Sequence, residues 1–416
     1  MVQKSLSGGA ITGLLVVWGV LSAATLQAEN WPRFRGPDGT GVSEDATIPA
    51  TWTDKEVAWA VELPGVGHSS PAIWGEHLFV TSATDEGKSR TLYCLDSVTG
   101  EIRWSKTEKF ATNHLHAKNS FASSTPATDG ERVYVPYADD ADFALLAYDF
   151  NGEQVWKASL GPYSSQHGMG VSPIVFEDLV ILPNDQRGPS SVVAFNRKTG
   201  KQVWKTDREA REASYATPII VEVPGSAQQL ICANGATGLT SLDPRTGELI
   251  WKTEPLPQRT VASPAFVGGL VYITCGQGGK GTRLIGVDPT GRGNVEATHI
   301  KVRKDKGIPY VPTIVGYGDW IFHWNDNGVV SCYDVGTQEQ LWEKRIGGNF
   351  SGSPIVVGGK LYCIDESGQV VVLGAGPQFE QLGVMPLGDS SHSTPAAANG
   401  RLYLRTFHKL TCIGGK

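Results

Sequence analysis

The stretch LYCLDSVTGEIRW, Leu92 to Trp104, closes one apolar run, turns through Asp-x-x-Thr-Gly and opens a second run that reaches a tryptophan. It recurs. Asp96–Trp104 (DSVTGEIRW) returns as Asn196–Trp204 (NRKTGKQVW) and as Asp243–Trp251 (DPRTGELIW). With an altered turn it returns as Asp334–Trp342 (DVGTQEQLW), and one residue shorter as Asp149–Trp156 (DFNGEQVW). A degenerate copy starts at Asp288 without a tryptophan, and another lies near Leu373, with Leu382 in the tryptophan position. A small residue and a proline, then a short apolar run, precede each copy. These prolines are Pro71, Pro126, Pro173, Pro218, Pro264, Pro312, Pro354 and Pro395, spaced 41 to 55 residues apart. Eight markers at such a period signal a repeat architecture.

The physics of one unit is legible. After Pro71, AIWGEHLFV (Ala72–Val80) is two apolar stretches split by Gly and a polar pair, the pattern of a hairpin. TLYCLD supplies a third strand. The Asp or Asn of the turn can bond the backbone ahead of it, and the Gly can take positive φ. A fourth strand ends on the tryptophan. Four antiparallel strands repeated radially make a β-propeller, and stacking is needed because one blade cannot bury both its faces alone. The last unit, Ser393 to Lys416, has three strand-like runs and stops. VAWAVEL (Val57–Leu63), holding Trp59, is an isolated fourth strand ahead of the first unit. If it completes the last blade, the ring closes and no edge stays open. The expectation is an all-β, eight-bladed propeller of four-stranded blades spanning residues 57–416, with an N-terminal strand closing the last blade.

Residues 1–28 read as a secretory signal peptide: Lys4, an apolar stretch from Ile11 to Leu26, and small residues at Ala24–Ala28. The alternative is retention as an uncleaved membrane anchor. No Cys stands near the cleavage point to carry a lipid. Residues 29–56 form a leader segment. Cleavage after Ala28 leaves 388 residues and no membrane span in the mature chain, and places it in the periplasm or outside the cell as a monomer. The full chain carries formal charge -6, which loss of Lys4 makes -7. Without basic runs it has no nucleic-acid footprint. Aligned on the repeats, Cys94, Cys332 and Cys412 share a slot with Ala147, Ala194, Ser241, Gly286 and Val372. Cys232 and Cys363 share another with Val80, Val135, Leu182 and Ile273. Slots that take small apolar residues are packing positions, so free buried thiols are expected. No zinc spacing is present.

The L-Y-x-L-D-x-x-T-G-x-x-x-W pattern resembles the repeat of the pyrroloquinoline quinone (PQQ) propeller superfamily, which includes quinoprotein dehydrogenases and BamB-like proteins. The leader NWPRFRGPDGTGVS (Asn30–Ser43) resembles the W-P-x-F-R-G-P opening of exported propellers of planctomycete-type bacteria. The resemblance implies blade docking through Trp59, Trp104, Trp156, Trp204, Trp251 and Trp342. It does not imply bound PQQ. The adjacent-cysteine disulfide of quinoprotein alcohol dehydrogenases is missing here, and their carboxylate and base residues match no motif in this chain. No catalytic residue and no metal ligand set is therefore assigned.

Function must then lie in the loops, where the copies differ. The residues just before each proline should line one mouth of the central channel. From them and their neighbours come His68, Asn119, His167, Tyr215, Arg259, Tyr310, Asn349 and His392 as candidate ligand-binding residues. His68 and His392 each stand three residues before their proline on neighbouring blades. His167 should reach the same funnel. His114 and His116 are spaced to share one face of a strand, although a solvated loop is the plainer reading. The glycine-rich GQGGKG (Gly276–Gly281) precedes no helix and is not a phosphate loop. Three functions compete: a non-enzymatic scaffold binding an envelope protein, with no cofactor; a PQQ- and calcium-dependent oxidoreductase acting on an alcohol or sugar; and a carbohydrate- or small-ligand-binding propeller using Phe121, Tyr215, Tyr310 and Phe350.

Overall fold

The structure, a computed structural model, describes residues 29–223, 225–277 and 280–415 together with the first two residues. All but the first two residues of the expected signal peptide lie outside the described residues. The chain forms eight antiparallel blades around a central channel, and its one short helical turn among the described residues is Asp85–Gly87. Blade 1 pairs Ala72–Trp74, His77–Thr84, Ser89–Asp96 and Ile102–Lys109 in order. Blade 8 is closed as expected: Val57–Glu62 lies antiparallel to Lys409–Gly414, with Trp59 opposite Cys412.

The repeated turn works as its residues predict. Asp96 Oδ1 accepts the N–H groups of Val98 and Thr99 at 2.8 Å, and Gly100 sits at φ 79°. The strand after it does not end on tryptophan. In blade 1 it runs on to Lys109, with Trp104 near its start. In all eight blades the register slips by one residue immediately before the tryptophan slot: Ile102 opposes Leu95, Arg103 is extra, and Trp104 opposes Cys94. Such a bulge adds local twist and re-aims the side chain after it.

That side chain bridges to the next blade. The indole N–H of Trp104 donates to Phe150 O, that of Trp156 to Arg197 O, and that of Trp204 to Pro244 O. Trp59 and Trp342 do the same to Ser97 O and Gly376 O. Trp251 departs from the pattern and donates to Gln229 Oε1 in its own blade; Gln229 in turn reaches Pro289 O. Four turn glycines lie directly beneath the ring of the preceding blade. A Cβ on Gly100, Gly152, Gly200 or Gly247 would come within 2.6 to 2.9 Å of an indole carbon. Blade 5 has Val302 in the tryptophan slot, and the next turn carries Gln338 at φ 60° where others have Gly. The core is correspondingly interfacial. One cluster, for example, joins Phe79 and Leu92 of blade 1 to Val135 and Leu146 of blade 2. All six cysteines are free and buried.

Two alignments shift. The blade 6 residue equivalent to Pro71 is Ile314, because Val315 opposes Phe322 as Ala72 opposes Phe79; Pro312 stands two residues earlier. In blade 7 the tryptophan slot is Gly383, opposite Val372, and Leu382 is the bulge residue. The slot is small because the leader fills it: a Cβ on Gly383 would meet Thr51 and the carbonyl of Ala50.

The leader is built into the ring. Trp31 bonds Ile73 of blade 1 through both backbone groups, Arg33 donates to Pro218 O of blade 4, and Arg35 donates to Pro354 O and Ile314 O of blades 7 and 6. Val42–Ser43 then pairs in parallel with the innermost strand of blade 7. The chain thus straps the base of the channel, and its two buried arginines occupy carbonyls of the residues that precede the innermost strands.

Candidate functional site

The channel narrows at a collar of hydroxyls. Ser70, Thr125, Ser172, Thr217, Ser263, Thr313, Ser353 and Thr394 each stand just before the marker position, one per blade. At seven of the eight junctions the backbone N–H of one donates to the hydroxyl oxygen of the next, at 2.9 to 3.4 Å. At the eighth junction, from blade 8 to blade 1, Ser393 Oγ donates to His68 O instead. The marker proline has no N–H, so the residue before it supplies the donor that joins the blades.

A cavity of about 220 Å³ sits in the channel, lined by the collar and by Phe34 of the leader. Seven of the eight residues picked from the loops line it: His68, Asn119, His167, Tyr215, Arg259, Tyr310 and His392. Asn349 does not. It is exposed, and its carbonyl takes the N–H of Glu366. Sequence reasoning passed over Phe34, Lys118, the collar, and His116 as a wall residue. The collar had a visible signal, a Ser or Thr ahead of seven of the eight marker prolines, Pro312 following Val311. Phe34 had none, since only the strap's path brings it there.

The four imidazoles stand as two pairs. His68 and His392 meet edge-to-face with centroids 4.7 Å apart, and His68 stacks on Phe407 at the same distance. Burial, then the neighbouring His392 and Arg405, pushes the His68 pKa down to about 3, so this ring is neutral. His116 meets His167 edge-to-face at 4.7 Å, from a loop rather than a strand. His114 is outside the cavity wall. Burial and then Arg259 lower the His167 pKa. Arg259 Nη1 lies 2.8 Å from His167 Nε2, and its Nε donates to Tyr310 Oη at 2.8 Å.

Among the described residues no carboxylate lines the cavity. Glu366 sits behind Lys118 at 2.6 Å, and Glu212 lies 3.8 Å from Arg259. Among the described residues no cluster of His, Cys, Asp and Glu is arranged to hold a metal ion. Of the four aromatic residues expected at the mouth, Tyr215 and Tyr310 are there. Phe350 is instead fully buried against Trp324, and Phe121 lies under the Arg90 guanidinium.

Comparison with known proteins places this architecture. Residues 44–219, 188–297 and 304–406 match the family described as outer membrane protein assembly factor BamB. BamB of Burkholderia pseudomallei is 26% identical over 333 residues, 76% of each chain. Tetrathionate hydrolase of Acidithiobacillus ferrooxidans is 24% identical over 255 residues, and polyvinylalcohol dehydrogenase of a Pseudomonas species is 27% identical over 172. The chain spans only about half and a quarter of the length of those two enzymes. Among solved structures, BamB of Moraxella catarrhalis superposes with TM-score 0.63 at 15% identity, covering 86% of this chain and 99% of its own. Quinohemoprotein alcohol dehydrogenase of Comamonas testosteroni does so with TM-score 0.69 at 14% identity, covering 93% and 81%. At such identities these likenesses describe the fold alone.

Proposed function

The chain belongs to the outer membrane protein assembly factor BamB family, and from that premise we propose that it is a non-catalytic binding module of the cell envelope, exported and engaging a protein partner. One observation carries the reading. The channel cavity gathers seven candidate side chains and, among the described residues, no carboxylate lines it; the one wall hydroxyl bonded to a carboxylate, Ser351 to Glu366 at 2.6 Å, meets a group that Lys118 also holds and whose pKa is lowered, a weak base. A catalytic imidazole needs a third group to orient it. Here His392 Nδ1 donates to Lys118 O, His116 Nδ1 accepts the Lys118 N–H, and the rings otherwise rest on each other, on Phe407 and on Arg259; among the described residues no carboxylate is hydrogen-bonded to any of the four.

A calcium-assisted quinone does not fit this wall. Calcium takes six to eight oxygen ligands with carboxylates among them, and the cavity offers hydroxyls, amide and imidazole groups beside two cations. No redox step is therefore derived. A glycan platform loses two of its four aromatic residues, Phe350 to the core and Phe121 to Arg90, and is the weaker alternative.

The test is direct. The purified chain is mixed with PQQ, with and without calcium, alcohols and sugars, and reduction of an artificial electron acceptor is followed. No turnover is expected, while cross-linking in intact envelopes yields a discrete adduct with one protein. Calcium-dependent turnover that disappears in His68→Ala/His392→Ala overturns the reading.

A further inference from the structure

We propose that the channel cup is an anion site, taking a small molecule that carries carboxylate or similar oxyanion groups and holding it by donors alone, without a metal ion. The inference rests on the non-catalytic reading and gives the same cavity a ligand class.

In the collar, the hydroxyl oxygens at seven junctions already accept an N–H from the preceding blade. Each keeps its proton, and one lone pair, for the channel. Above the collar donors again outnumber acceptors, His392 being the exception: its Nδ1–H donates to Lys118 O and leaves Nε2 as an acceptor. A guanidinium has no acceptor, so His167 Nε2 must accept from Arg259. The proton of that neutral ring is then on Nδ1, which is buried beside the Gln166 backbone without a well-formed hydrogen bond. Tyr310 Oη accepts from Arg259 and keeps its own proton. Tyr215 Oη is buried and has no partner at all, although its side chain lines the cavity.

The two cations, Lys118 and Arg259, are on the wall itself, while Glu366, Glu212 and Asp326 stand behind it, Asp326 with both oxygens taken by the N–H groups of Tyr310 and Val311. Glu212 is 3.8 Å from Arg259, beyond hydrogen-bond reach. Buried donors without partners cost free energy that an acceptor-rich ligand recovers. A sugar or alcohol finds hydroxyl lone pairs and His392 Nε2 there, but brings no charge to meet Lys118 and Arg259. The cavity, about 220 Å³, lies below the usual size of drug-sized sites, about 300 to 1,000 Å³, so the ligand is small.

Citrate is the probe, titrated calorimetrically in EDTA, with glucose as the neutral polar control. Saturable citrate binding is expected, weakening with added salt. Arg259→Gln should weaken it about tenfold or more, as loss of a charge-assisted contact does. Tyr215→Phe should weaken it by about threefold to tenfold, a neutral hydroxyl donor being worth less. That hydroxyl holds no other group, so the second variant tests the site even if the first disturbs folding. No citrate heat, equal affinity in Tyr215→Phe and the parent, binding that needs a metal, or equal binding of glucose would each overturn the proposal. Failure here leaves the non-catalytic reading standing, because dye reduction tests that separately.

Discussion

Gly200 shows how one residue carries both halves of the repeat. It closes its own turn at φ 68° and lies beneath Trp156 of the preceding blade, where a Cβ would approach an indole carbon to 2.7 Å. Gly161 is the control, at φ 86° with nothing within 4 Å. Gly161→Ala should cost only the backbone term, about 1–2 kcal/mol. Gly200→Ala adds the displaced ring and should cost about 3 kcal/mol or more. Urea unfolding of both variants measures the difference. Histidine supplies a second residue-scale expectation. His68 faces His392, Phe407 and Arg405, and its pKa is depressed to about 3 against the ordinary 6.5. Between those values the unfolded chain binds a proton that the folded chain refuses. Stability is therefore lost as pH falls below about 6.5, by up to about 1.4 kcal/mol per pH unit for such a group. In His68→Phe the slope between pH 6 and 4 should be shallower, and a slope unchanged from the parent would contradict the account.

Elements are joined here by contacts that no single blade contains. Thr217 N–H donates across the junction to Ser263 Oγ at 3.0 Å. Ser263→Ala leaves that buried N–H without an acceptor and should cost about 1–3 kcal/mol, while Ser263→Thr should be near neutral, since four blades use Thr at this position. The strap makes a sharper case. Arg35 is 1% exposed and its guanidinium reaches Pro354 O, Ile314 O and Thr40 O. Burial lowers its pKa to about 10, so it stays charged at neutrality. A lysine cannot span three carbonyls with a planar fork. Arg35→Lys should therefore destabilise the protein by about 2–4 kcal/mol in denaturant melts, rather than pass as a conservative change. Much at this scale was readable: the strands, the turns, and the reuse of Trp and Gly. The bulge was not, because a one-residue register slip depends on the partner strand. Pro312 misled because Ile314 occupies the marker position, and Leu382 because the gap it seemed to fill is taken by the leader.

At the scale of the whole molecule, the ring closes on one strand brought from the far end of the chain. Trp59 spans from blade 8 to the carbonyl of Ser97 in blade 1. Trp59→Ala removes an aromatic ring and its hydrogen bond at the seam and should cost about 3 kcal/mol. Because neighbouring blades share their core, the loss should appear as one cooperative transition at lower denaturant; a separate early transition of the seam would show that the blades unfold independently. The same closure makes the candidate site. His68, His167 and His392 come from blades 1, 3 and 8, and Phe34 comes from the strap. Only a closed ring with a strapped base turns these into one cavity.

By itself the sequence determined the unit. Its alternating runs, Asx-Thr-Gly turns and periodic prolines dictate a four-stranded blade, eight of them, and a latch strand, because these are local patterns of period and backbone preference. It also pointed to the loops that meet at one mouth, since each follows its blade's phase. Tertiary structure alone decided which loop residues face inward, and so left Asn349 in solvent and drew His116 and Lys118 to the wall. It alone sent the leader across the channel base and left the wall rich in donors. The physical reason is that facing and hydrogen-bond partnership are relations between blades far apart along the chain, and a local pattern carries no information about them.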